Sequence, residues 1–153
     1  DSYWDGLLKD ARIVRNGAKV ASVRENAAFV RAVAKQHGSF GRMLAAWPAD
    51  DQVGLLALLA KQGSRLGGNT GQMLLRFLGW DAFVLSHDVV AALRDAGLDV
   101  AESVTSKRDL ARAQAQFNAW HKETGLPYIH LSRISAMSIG ENLDPAAMHQ
   151  ADA

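Results

Sequence analysis

Apolar residues recur at helical spacing along almost the whole chain. Val20, Val23, Ala27, Val30 and Ala34 fall three or four residues apart. That period predicts a long helix that starts after an Asn16 cap and reaches about His37. Gly38-Ser39 stops it. Residues 40–47 read as a short helix closed by Pro48. Asp50-Asp51 opens the next, with carboxylates at its positive end, and the apolar run 53–59 follows. Segments 68–78 and 86–96 are each closed by a glycine, Gly79 and Gly97, and Ser86 is an apt N-cap. Ser106 caps a helix to about Glu123, Gly125-Leu126-Pro127 ends it, and residues 128–139 form one more. Residues 3–9 have the pattern of a short helix at the chain start. Alternation is confined to residues 83–85, the only candidate strand. The pattern predicts an all-α bundle over residues 1–142, with a fraying tail at 143–153.

Length and composition fit this reading. A chain of 153 residues is enough for one domain with a real core. It is 48% apolar and 22% charged, as ordinary globular proteins are. No run of 18 apolar residues exists, so neither a membrane span nor a membrane partner is expected. The opening Asp-Ser-Tyr-Trp-Asp lacks the basic-then-apolar pattern of a signal peptide, so none is expected. Cysteine is absent, which excludes disulfides and thiolate metal sites and fits a reducing, cytoplasmic setting. A monomer is the expected assembly.

Net charge is only +1, but it is unevenly spread. From Lys9 to Arg42 eight basic residues stand against Asp10 and Glu25. From Lys61 to Trp80 there are three basic residues and no acidic one. From Asp81 to Thr105 five acidic residues face Arg94 alone. Mixed, solvated helix faces would give such a pattern, and so would a basic face built from the first two segments.

The most chemically suggestive stretch is Lys61-Gln62-Gly63-Ser64-Arg65-Leu66-Gly67-Gly68-Asn69-Thr70-Gly71, between two helix-period segments. Two helices joined by a glycine-rich turn form a helical hairpin. The second helix begins at the turn, so its free N–H groups and positive dipole end point outward together. An anion can sit there. In a DNA-binding protein it would be a backbone phosphate, a contact that positions the protein without reading sequence. Without an anion, the same stretch is a tight turn and a helix cap.

Three segments, the glycine-rich stretch among them, fall in an order that resembles the helix-hairpin-helix DNA glycosylases of the 3-methyladenine DNA glycosylase I type. Ala11-Arg12-Ile13-Val14-Arg15-Asn16-Gly17-Ala18-Lys19-Val20 is similar to that family's I-x-R-N/H-x-x-K-I pattern. Residues 60–78 resemble its hairpin, K-x-G-F-K-F-V-G-T-T. Val84-Leu85-Ser86-His87-Asp88-Val89-Val90 stands in the place of its N-D-H-V-V. Residues 106–142 look like the extra helices of a longer branch of the family.

The resemblance implies excision of alkylated purines from double-stranded DNA by hydrolysis of the N-glycosidic bond, as part of base excision repair. A non-catalytic helix-hairpin-helix DNA-binding module, or a helical domain that binds a partner, are the alternatives. The resemblance places Arg15, Asn16, Lys19, Lys61, Arg65, Gly67, Gly68, Asn69, Thr70 and Gly71 at the DNA. The family's general acid/base carboxylate, its aromatic base pocket and half of its zinc site lie in an N-terminal third that is expected to precede this chain. Its zinc-ligand histidine and cysteine fall on Asp88 and Ala92, so no zinc is expected. A monovalent cation on the hairpin carbonyls would fit the superfamily. The superfamily's catalytic Asp falls on Ser86, which cannot ionise at neutral pH. The catalytic residue is therefore unassigned, with Asp88 the one candidate.

Other residues read as structural. Trp47, Trp80 and Trp120 are expected to pack between helices, although tryptophans can also stack on an extruded base. Trp4 and Tyr3 are open in this respect. His37, His121, His130 and His149 show no metal-ligand spacing and read as surface residues. Adjacent His87 and Asp88 should point about 100° apart on a helix.

Overall fold

The computed structural model describes residues 2–140. Among them are eight helices and no strand. They are α1 (Ser2–Lys9), α2 (Gly17–His37), α3 (Phe40–Ala46), α4 (Gln52–Gln62), α5 (Gly68–Phe77), α6 (His87–Asp95), α7 (Lys107–Thr124) and α8 (Tyr128–Met137). The protein is all-α. The fraying expected of residues 143–153 lies outside the described residues. No helix among those described is long and apolar enough to cross a membrane.

The helix starts follow local chemistry. Asn16 accepts a hydrogen bond from the Lys19 N–H, Ser39 from Arg42, Asp51 from Gly54, Ser86 from Val89 and Ser106 from Asp109. Each side chain satisfies one of the four N–H groups that a helix start leaves open. α8 is different. Its N-cap position is Pro127, which makes no side-chain cap bond. Instead the Asp81 carboxylate accepts from the N–H of Tyr128 at 3.0 Å and of Ile129 at 2.9 Å.

The chain groups into two compact units, residues 1–74 and 75–153. In the first, α2 packs on α3, with Phe29 edge-on to Phe40 at 5.7 Å. Phe29, Val33, Met43, Leu44, Leu55 and Leu59 are buried. The apolar positions whose spacing predicts α2 are not its buried face: Val23 is 64% exposed and Val30 39%. The bulky Phe29 and the following Val33 occupy the buried face instead. Small alanines on several sides of α2 dilute its period, so side-chain volume decides which face goes inward.

The second unit is organised around Phe83, Val89, Leu93, Ala113, Phe117, Tyr128 and Leu131. Phe83 and Phe117 stack face to face at 4.5 Å, and Trp120 meets Phe117 edge-on at 5.3 Å. Residues 83–85, the one candidate strand, do not form one. Ala82, Phe83 and Val84 are buried, but they pair with no other strand. The Val84 N–H is instead satisfied by the Ser132 hydroxyl at 3.3 Å. His121, expected at the surface, is also corrected. It is half-buried, its ring stacks on Tyr128 at 4.6 Å, and its Nδ1 lies 2.8 Å from the Leu126 carbonyl. It latches the chain that leaves α7.

Between α6 and α7 a charged cluster stiffens the connection. Asp99 is paired with Arg112 and, at 3.4 Å, with Arg108. Those guanidiniums, Arg112 foremost, hold its carboxyl below the usual carboxylate range. Burial pulls the Asp109 carboxyl upward, but the Ser106 hydroxyl, the Ala101 N–H and Arg108 outweigh it and keep it low.

Candidate nucleic-acid interface

α4 is apolar on nearly every side and ends at Gly63, whose N–H bonds to the Leu59 carbonyl at 2.9 Å. Five residues of turn follow, and α5 begins at Gly68. Arg65 and Gly68 both have left-handed φ, +60° and +56°. For arginine that conformation is strained by about 1 kcal/mol or more. A Cβ at Gly68 would meet nothing within 4 Å. A side chain there is therefore disfavoured by backbone conformation rather than by crowding.

Gly71 differs from the rest of the set. It is buried, and a Cβ on it would lie 2.5 Å from the Leu66 carbonyl oxygen and 3.0 Å from Leu56 Cδ2. Its bare backbone lets α5 close against the turn and against α4. This places Gly71 in the packing of the hairpin, not on an outer face. Lys61, Arg65, Gly67, Gly68, Asn69 and Thr70 are all exposed.

One contact that the motif does not announce fixes the turn. Asn26, in the middle of α2, receives the Ser64 N–H on its Oδ1 at 2.7 Å and donates from Nδ2 to the Ser64 carbonyl at 2.9 Å. A side-chain amide thus reads both backbone groups of one turn residue and binds the hairpin to α2. Lys19 lies seven residues before Asn26, nearly two full turns. It therefore shares the Asn26 stripe of α2 about 10 Å further along the axis. Lys19 and Arg15 are exposed, and the Asn16 side chain is engaged as the α2 cap. Arg12 is taken by Asp10 at 2.8 Å, which lowers the Asp10 carboxyl and raises the guanidinium.

The paired bonds make Asn26 a sensitive position. Asn26→Asp keeps the shape, loses the donor and sets a carboxylate against the Ser64 carbonyl. It should lower the unfolding free energy by about 1–3 kcal/mol. A urea midpoint equal to that of the parent protein would refute the clamp.

The tryptophans pack as expected where their contacts are seen. Trp47 Nε1 donates to the Asp51 carbonyl at 2.8 Å, and Trp120 meets Phe117. Trp4 sets its ring edge-on to Tyr3 at 5.7 Å and lines a cleft of about 430 Å³ with Leu8, Val20 and Ala21.

Asp88 is the second residue of α6, and its side chain is 58% exposed. His87 Nδ1 reaches it at 3.5 Å, the outer limit of a hydrogen bond, with a side chain 91% exposed. The two thus come nearer than their positions on the helix suggest, but without the burial that would tune a catalytic carboxyl. Among the described residues no group of three or more His, Asp or Glu is placed to hold a metal ion. Compared with protein-family models, with curated proteins and with solved structures, the chain matches none.

Proposed function

We propose that this chain binds double-stranded DNA through the phosphate backbone, using the α4–α5 hairpin as anchor. The activity it serves would be the excision of alkylated purines that the sequence resemblance implies. One observation carries the DNA reading. An exposed helix start, Gly68 to Thr70, follows a turn that carries Arg65, and Asn26 fixes that turn to the α2 stripe bearing Lys19. Open N–H groups at a helix start, with cations beside them, suit a phosphate oxygen.

A second reading is favoured by the surroundings of Asp88. Asp88, the one catalytic candidate, is exposed, and Ser86 stands where the superfamily has its carboxyl. On that reading the chain is a DNA-binding module without chemistry of its own. Excision assays on methylated DNA separate the two: release of 3-methyladenine supports the glycosylase, and binding without release supports the module.

Both readings share one expected result. With three or four phosphate contacts, log affinity should fall against log salt with a slope near −3. Arg65→Ala and Lys19→Ala should each reduce the slope by about one. Fluorescence anisotropy on a labelled duplex measures it. A slope near zero, or slopes unchanged in both variants, would exclude a DNA role for the hairpin.

A further inference from the structure

α6 and α7 end at one cleft of about 390 Å³ in the second unit, and α8 runs along it. Asp95 lines it from the last turn of α6, Trp120 and Thr124 from the end of α7, and Leu131, Ile134 and Ser138 from α8 and its cap. The size suits a small organic molecule. The walls are mainly apolar, and Asp95 is the only charged residue among those lining it.

A helix C-terminus carries about half a negative charge, and those of α6 and α7 lie at the cleft beside the Asp95 carboxylate. The caps are made: the Gly97 N–H bonds to the Arg94 carbonyl, Gly125 to His121 and Ser138 to Ile134. These bonds satisfy individual carbonyls, but the aligned peptide dipoles remain. The hydroxyls of the cleft agree with them. Thr124 Oγ1 donates to the Trp120 carbonyl, Ser135 Oγ to Leu131 and Ser138 Oγ to Ser135, at 2.7–2.8 Å. Their protons are committed, so these oxygens can only accept from a ligand. Arg94, next to Asp95 in sequence, is drawn to Glu102 at 3.3 Å.

We propose that this cleft binds a small organic cation, a primary ammonium group on an apolar body. The ammonium would lie by Asp95 and the helix ends, where its three protons meet acceptors. The apolar body would lie along Leu131 and Ile134, with the Trp120 indole available to the positive charge. An anion would meet the same field with the opposite sign.

The test is a titration of the full chain at low salt, followed by amide NMR shifts, with three probes of similar shape. They are 2-phenylethylammonium, neutral 2-phenylethanol and anionic 3-phenylpropanoate. The ammonium should bind with shifts confined to the ends of α6 and α7 and to α8 beside them. The alcohol should bind about tenfold more weakly, and the carboxylate not at all. Asp95→Asn should weaken the ammonium about fivefold and leave the alcohol unchanged. Asp95 is exposed, so the variant is expected to fold, which circular dichroism checks. Absence of ammonium binding, equal affinity for ammonium and alcohol, shifts elsewhere, or an unchanged Asp95→Asn titration would each overturn the proposal.

Discussion

Phe117→Ala should cost the protein about 3–5 kcal/mol of unfolding free energy. Phe117 is fully buried, stacked on Phe83 with only 5° between the rings, and touched edge-on by Trp120. Its removal takes a large apolar group out of the cluster that joins α6, α7 and α8 to the 82–84 segment. The stacked geometry leaves Phe83 facing a void, which neighbouring helices can close only in part. The loss is a large fraction of the 5–15 kcal/mol that stabilises an ordinary domain. Phe117→Leu refills most of the volume and should cost less than about 1.5 kcal/mol. Urea unfolding followed by circular dichroism decides. A loss below about 1 kcal/mol for the alanine variant would mean that Phe117 is not central to that core.

Gly71→Ala is the second large effect, and its sign is the informative part. On helix propensity alone, alanine in place of glycine inside α5 should stabilise by about 1 kcal/mol. Here the new methyl would stand 2.5 Å from the Leu66 carbonyl oxygen, and backbone cannot step aside as a side chain can. Overpacking of this kind costs about 1–3 kcal/mol, so the net change should be destabilising. On the proposed DNA reading, affinity for a duplex should fall with it, because the turn that presents Arg65 would be pushed away from α5. Gly6→Ala is the control. It lies within α1 with nothing within 4 Å of the added methyl, and should stabilise by about 0.5–1 kcal/mol. Equal changes in melting temperature for the two variants would show that the close approach at Gly71 is not real.

The helices were legible in the sequence because their ends are decided by neighbours. Asn16, Ser86 and Ser106 each cap a backbone N–H three residues on. A pattern reader sees both partners in one window. Two of the contacts that tie one helix to distant chain were not legible. Asn26 and Ser64 are 38 residues apart, and Asp81 and Tyr128 are 47 apart. Nothing in the local composition around Asn26 marks it as more than another polar residue on a helix. The α2 stripe failed for a related reason: periodicity names a face only when one face is clearly more apolar than the others. For the candidate site, the hairpin glycines were visible as a group, but their separate tasks were not. Sequence cannot tell a glycine that needs positive φ, Gly68, from one that needs bare space, Gly71.

The carboxylate of Asp81 that starts α8 also couples the assembly of two distant segments. A helix of ten residues is marginal by itself, and its first turn is the costly step. Here that step borrows its acceptor from a residue that must already lie in place beside it. α8 therefore has little reason to form early on its own. It gains its start only when the chain around Asp81 has docked, and its own docking then holds that chain through the Ser132 hydroxyl on the Val84 N–H. The two segments wait on each other. Residues 75–140 accordingly favour an all-or-none transition, in which a half-assembled state with α8 formed and the 81–84 segment loose has no stability to sustain it.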